Sequence, residues 1–289
     1  MLTVRGVWKT YDGGIRALQD VSLDAGRGVF GLLGPNGAGK SSLMRTLATL
    51  QRPDSGSVSL DDTDLLADPF RARRRIGYLP QDMGVYPRVT AGEMPEYLAG
   101  LKGIGGKRRR QEVSRLLEQV NLADLADRRL DTFSGGMRRR FGIATAFLGA
   151  PELVIVDEPT AGLDPSERRR FQFLLADAAQ SCVLILSSHI VEDLAGLCTD
   201  MALMNRGRIV ATGAPRKLVG KLDGRIWQRG AKFGELAALQ SRHTVLSWRP
   251  SQGGLAVRVL SDISPGPDFE PSDPDLEDLY AARMREAAE

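Results

Sequence analysis

The chain has 289 residues, 42% apolar and 26% charged, so it can bury a full core and has the composition of an ordinary globular protein. Its net charge of +3 and pI near 9.0 are too mild to argue for nucleic acid. No apolar run reaches the roughly 18 residues of a membrane span, Met1 to Gly6 lacks the layout of a signal peptide, and Cys182 and Cys198 form no metal-ligand pattern; together these predict a cytosolic protein.

Alternating residues in Thr3 to Trp8 and Val21 to Leu23, with turn signals at Asp12-Gly13-Gly14 and Asp24-Ala25-Gly26, predict a small antiparallel sheet. Tyr11 precedes the next element and suits either packing or a nucleobase face. The apolar run Val29 to Leu33 predicts a strand, and Leu43, Leu47 and Leu50 recur at helical spacing. Between them lies Gly34-Pro35-Asn36-Gly37-Ala38-Gly39-Lys40-Ser41-Ser42. This is G-x-x-x-x-G-K-[ST] in the strand–loop–helix setting that gives the pattern its meaning. Glycines let backbone N–H groups turn inward, and the helix N-terminus adds partial positive charge, so the loop is a polyphosphate cradle. Lys40 is placed for the β- and γ-phosphates, Ser41 for Mg²⁺, and Ser42 as a further donor.

A turn at Arg52 to Gly56 leads to a short strand, Ser57 to Leu60, then a basic solvated helix, Phe70 to Arg75, then a strand, Ile76 to Leu79. Gln81 follows at the strand end, where an amide oxygen can bind Mg²⁺ or position water. Periodicity is helical from about Gly92 to Leu148, with Val113, Leu116, Leu117 and Val120 on one face. Ser134-Gly135-Gly136 is a second helix-opening anion loop, because Ser caps and the glycines expose N–H groups. The β-branched run Leu153 to Val156 predicts a strand buried on both faces, ending in Asp157 and Glu158. Carboxylates there lie where open α/β sheets bind ligands; Asp157 suits Mg²⁺ and Glu158 an attacking water. Thr160 to Pro165 turns into another helix, and the strand Val183 to Leu186 ends in Ser187-Ser188-His189 at the same sheet edge. His189 suits the γ-phosphate or the water.

These motifs, in this order, resemble the nucleotide-binding subunit of ATP-binding cassette (ABC) transporters over about residues 2 to 215. Gly34 to Ser42 matches Walker A, Gln81 the Q-loop, Leu153 to Asp157 the Walker B strand, and Glu158 its catalytic glutamate. Ala161 to Asp164 matches the D-loop, His189 the switch histidine and Tyr11 the adenine-stacking aromatic. The signature motif, usually Leu-Ser-Gly-Gly-Gln, is Phe133-Ser134-Gly135-Gly136-Met137, like that of the type-2 exporter branch. The resemblance implies a P-loop NTPase α/β fold: a parallel-sheet core with an N-terminal antiparallel subdomain, a helical subdomain at about 83 to 148, and an α+β appendage at 216 to 289. It implies ATP and Mg²⁺ as cofactors, with the metal on Ser41, Gln81 and Asp157. It also implies a head-to-tail dimer of ATPase subunits in which Ser134, Gly135 and Gly136 reach the partner's ATP and Asp164 belongs to the D-loop; homodimer and heterodimer both stay open, and the presence of both halves of a site in one chain favours the homodimer. The separate membrane permease would dock on Asp82 to Thr90, at the cytoplasmic face of the membrane.

In the tail, short strands around Arg225 to Trp227, Thr244 to Trp248 and Leu255 to Leu260 precede a Pro-rich connector and a helix from Asp275. The competing class is a soluble ABC ATPase acting on nucleic acid or ribosomes; one cassette and no sustained heptads disfavour it. A degenerate regulatory cassette is disfavoured because Lys40, Asp157, Glu158 and His189 are all present.

Overall fold

A computed structural model describes the whole chain except Asp82, Val85, Tyr86, Thr160 to Leu163, Ala288 and Glu289. The described residues divide into two compact units, Met1–Ile209 and Val210–Glu289.

In the first unit, β1 (Leu2–Tyr11) and β2 (Ile15–Ala25) form an antiparallel pair, with Leu2 opposite Ala25 and Tyr11 opposite Ile15. Leu2 and Val4 turn inward by alternation, and a register irregularity between Val4 and Val7 lets Val7 turn inward as well. The chain then enters the central sheet as β3 (Gly28–Leu33) and turns through the glycine loop into α1 (Lys40–Leu47). Next, β4 (Ser55–Leu60) returns to pair with β1 and with the short β5 (Thr63–Asp64), giving the antiparallel order β2-β1-β4-β5. After α2 (Pro69–Arg75), capped by the Asp68 side chain, comes β6 (Ile76–Leu79).

The helical region contains α3 (Glu93–Leu101), α4 (Gly106–Gln119) and α5 (Gly135–Ala146). Val113, Leu116 and Leu117 form the buried face of α4, as their spacing predicts. The chain re-enters the sheet as β7 (Leu153–Asp157), crosses through α6 (Pro165–Ala178) to β8 (Val183–Ser188), and passes α7 (Val191–Leu194) to β9 (Asp200–Asn205) and β10 (Arg208–Gly213). The sheet order is β10-β9-β3-β8-β7-β6. The pairs β6 with β7, β7 with β8, β8 with β3 and β3 with β9 are all parallel.

Register positions the site. Asp157 stands opposite Ser187, Leu33 opposite Ser188 and Leu79 opposite Val156. The residues that follow β3, β6, β7 and β8 therefore emerge along one carboxyl-end edge, the ligand-binding edge of open α/β sheets. One core underlies that edge: Phe30, Leu32, Ile155 and Ile185 of one sheet face pack with Leu43 and Leu47 of α1 and with the inward residues of β1, β2 and β4.

Beyond β10, the second unit contains α8 (Pro215–Val219) and β11 (Ile226–Ala231), followed by α9 (Leu236–Arg242), β12 (Thr244–Ser251), β13 (Gly254–Leu260), β14 (Glu270–Pro271) and α10 (Leu276–Glu286). Its antiparallel order is β12-β13-β11-β14, over a core of Leu255, Val257, Val259 and Phe269. Asp275 caps α10, and buried Asp278 pairs with Arg258 at 2.5 Å. That pair raises the Arg258 pKa, chiefly through its hydrogen bond to Asp278.

Candidate nucleotide site

Glu158 is the centre of the site. It leaves β7 with φ of 44°, a left-handed conformation that costs a non-glycine residue on the order of 1–3 kcal/mol and clusters at functional positions. Its amide donates to Ser187 Oγ at 3.0 Å, and the Ser187 hydroxyl donates to Asp157 Oδ1 at 2.5 Å. A single buried serine thus ties the two acidic residues of the β7 end to β8.

Three side chains from other elements meet the Glu158 carboxylate. Lys40 Nζ lies 3.3 Å from Oε1, Gln81 Nε2 donates to Oε2 at 3.3 Å, and His189 Nδ1 lies 3.2 Å from Oε2. Lys40 is only 4% exposed and also donates to the carbonyls of Gly34 at 2.7 Å and Pro35 at 3.1 Å, so its ammonium sits at the mouth of its own loop. The four residues lie far apart in sequence and come together because their strands end in register.

The loop is shaped for close approach. Gly39 has φ of 102° and begins α1 without a side-chain cap. A Cβ there would lie 2.3 Å from the Ala17 carbonyl, so neither conformation nor space admits another residue. No acidic residue stands in the first turn of α1, which leaves its N-terminal field unopposed. The cavity over the loop is about 450 Å³ and includes Asn36, Gly37, Lys40, Ser41, Gln81 and Glu158, with Tyr11 at its border. The Tyr11 hydroxyl donates to Gln51 Oε1 at 2.7 Å and lies 3.1 Å from Ser42 Oγ. Gln51, unremarkable in the sequence, in turn donates to the Ser42 carbonyl at 2.7 Å and so anchors the aromatic ring beside α1.

Oxygen donors dominate the positions expected to hold metal: the Ser41 hydroxyl, the Asp157 carboxylate and the Gln81 amide. One carboxylate with neutral oxygens, completed by phosphates and water, suits Mg²⁺. Among the described residues, no group of three or more His, Cys, Asp or Glu is placed to hold a metal.

The second anion loop lies at the start of α5. Ser134 caps it, its Oγ accepting from Met137 N at 3.2 Å, and Ser134 and Gly135 are exposed. Gly136 lies against α6: a Cβ there would lie 2.1 Å from Glu167 Oε1, the end of a flexible side chain that would have to turn away. Asp164 caps α6, with Oδ1 accepting from Ser166 N and Glu167 N at 2.8 Å each; those backbone bonds, with the Ser166 hydroxyl, hold its carboxyl below the usual range. The other D-loop residues of the sequence reading, Ala161 to Leu163, lie outside the described residues, as do Asp82, Val85 and Tyr86 of the expected docking segment.

Sequence reasoning missed Arg139. From α5 its Nη1 donates at 3.2 Å to the carbonyls of both Gln81 and Glu158. In the run Arg138-Arg139-Arg140 nothing distinguishes it from solvated neighbours.

A parallel α/β sheet with a glycine loop after β3, acids at the end of β7 and a histidine after β8 defines the P-loop NTPase fold. The family model described as ABC transporter matches residues 18–161. The daunorubicin/doxorubicin resistance ATP-binding protein DrrA of Streptomyces peucetius is 35% identical over 276 residues, 90% of this chain and 83% of that protein. The probable multidrug ABC transporter ATP-binding protein YbhF of Escherichia coli (strain K12) is 36% identical over 228 residues, 78% of this chain; the match spans only 39% of YbhF. A solved ATP-binding subunit of an ABC transporter aligns with TM-score 0.70 and 27% identity, over 76% of this chain and 92% of its own. The dimeric MJ0796 cassette aligns with TM-score 0.68 and 25% identity, over 74% and 98%. The chain belongs to the ABC transporter family, among its ATP-binding proteins.

Proposed function

We propose that this chain binds and hydrolyses ATP as the energy-supplying subunit of a membrane exporter, acting as a homodimer at the cytoplasmic face of the membrane. The observation that carries the reading is the convergence of Lys40, Gln81 and His189 on Glu158 beside the glycine loop. Backbone N–H groups of Gly37 to Ser42 cradle the phosphates, Lys40 supplies a point charge to the β- and γ-oxygens, and Tyr11 lies against the base. Ser41, Asp157 and Gln81 would hold Mg²⁺, which would neutralise phosphate charge when bound. Glu158 accepts the proton of the attacking water, and His189 steadies the water and the γ-phosphate from the neighbouring strand.

In a head-to-tail dimer, Ser134, Gly135 and Gly136 of one subunit meet the ATP held by Lys40 of the other, which accounts for two anion loops in one chain. ATP at two shared interfaces supplies the differential affinity that closes the dimer, and hydrolysis releases it. The relatives with drug-resistance and multidrug names support export, and their transporter membership weighs against a soluble nucleic-acid ATPase. The membrane subunit is a separate chain. Its docking surface takes in, besides the segment Asp82 to Thr90, a groove of about 790 Å³ framed by α2, β6 and α3, where Phe70 is 80% and Leu101 62% exposed.

The test is Glu158→Gln, which should bind ATP, lose hydrolysis by roughly a hundredfold or more, and accumulate as an ATP-dependent dimer in size exclusion. Near-normal turnover would remove Glu158 from the mechanism, and absence of ATP binding by the unaltered protein would end the nucleotide reading.

A further inference from the structure

We infer that Arg139 is a positioning residue for hydrolysis: it holds the Glu158 main chain in its left-handed conformation and ties that carboxylate to the anion-binding end of α5. The inference rests on the reading of Glu158 as the water-activating group.

Glu158 adopts a backbone conformation that its side chain disfavours, so something must hold it. Two hydrogen bonds bracket the residue. Its N–H is held by Ser187 of β8, and its carbonyl accepts from Arg139 of α5. The same Arg139 nitrogen donates to the Gln81 carbonyl, and the Gln81 side chain reaches the Glu158 carboxylate. Arg139 therefore holds the main chain of both Glu158 and the residue whose amide touches its carboxylate. A charged donor on two main-chain carbonyls makes stronger bonds than a neutral one, and the bond to the Glu158 carbonyl is partly buried, which limits competition from water there.

The helix that carries Arg139 opens at Ser134, little more than one turn earlier. In the proposed dimer that end meets ATP bound by the partner subunit. Movement of α5 on engaging phosphate would therefore reach Glu158 of its own subunit through one guanidinium. Nη1 donates to both carbonyls, and an ammonium carries three donors, so Lys can restore these two bonds.

Steady-state hydrolysis and equilibrium binding of a fluorescent ATP analogue on the full chain test this. Arg139→Ala should lower kcat by roughly ten- to hundredfold while leaving nucleotide affinity and thermal unfolding near wild type, because misplacement of a catalytic group costs rate before it costs binding. Arg139→Lys should restore most of the turnover. In the Glu158→Gln background, Arg139→Ala should produce no further loss, since it acts through the group already removed. Wild-type kcat in Arg139→Ala alongside a collapsed Glu158→Gln would overturn the role of Arg139 and spare that of Glu158. Additive losses in the double variant, or a fall in stability that Lys does not rescue, would assign Arg139 to packing alone. Full turnover in Glu158→Gln would remove the reading of Glu158 and this inference with it.

Discussion

Ser187 is fully buried and uses its hydroxyl twice, as donor to Asp157 and as acceptor from the Glu158 amide. Ser187→Ala would leave a buried carboxylate oxygen and a strained amide without these partners. A buried group stripped of its partner costs about 1–3 kcal/mol. For a cassette of this size a loss of about 2 kcal/mol lowers the unfolding temperature by roughly 4–8 °C. Calorimetry should show that fall, and turnover at saturating ATP should drop because the Glu158 backbone is released on one side. An unchanged melting temperature would mean that another group satisfies both atoms. Lys40, Gln81, Glu158 and His189 stand out in the sequence because each follows a recognisable strand or loop. Ser187 and Arg139 do not, because their importance lies in main-chain and carboxylate partners that only the register of β7 and β8 and the approach of α5 bring within reach.

At the scale of elements, β3, β7 and β8 are legible because strands buried on both faces read as continuous apolar runs. The alternation of β1 and the 3.6-residue spacing of α4 are equally direct. The sequence reading passes over β9, whose Met201-Ala202-Leu203-Met204 core carries no β-branched residue. It also passes over α7, α8 and α9, each too short to show a period. Tertiary packing, not local preference, decides those segments. The proposed docking groove arises the same way: Phe70 and Leu101 belong to unconnected helices and form one apolar rim only in three dimensions. Arg71 and Arg74 of α2 and Lys102 also line it. Lys102 donates to the carbonyls of Ile76 and Leu148, and burial lowers its pKa to about 8. An occupant of matching chemistry is a short amphipathic segment with an apolar face and acidic flanks. Leu101→Glu places a charge on the exposed rim without touching the nucleotide cavity, so hydrolysis by the isolated protein should remain at wild-type level. Recovery of the membrane subunit with the tagged protein from detergent extracts should fall by tenfold or so, the effect of about 1.4 kcal/mol. Undiminished co-purification would place the docking surface elsewhere.

For the whole molecule, the proposed dimer makes a quantitative demand on mixtures of variants. Each active site needs Lys40 from one subunit and Ser134 from the other, so Lys40→Ala alone and Ser134→Arg alone both spoil two sites of two. The first removes the cation that meets phosphate; the second fills the exposed helix end with a long side chain. When the two variants are mixed in equal amounts and exchange freely, half of the dimers are hybrids. In each hybrid one site collects both changes, and the other pairs an intact Lys40 with an intact Ser134. If the two sites turn over independently, the mixture should therefore recover about a quarter of wild-type hydrolysis from two inactive preparations, a statistical consequence of composite sites of closed two-fold symmetry. A self-contained site could not behave this way, because each subunit would carry its own defect into every dimer. Absence of recovery, with hybrid dimers verified by mass spectrometry, would mean either that both sites must be intact for turnover or that Ser134 serves its own subunit. Single-turnover hydrolysis by purified hybrids separates the two: one ATP consumed per dimer points to obligate coupling of intact sites, and none points to a site built within one chain.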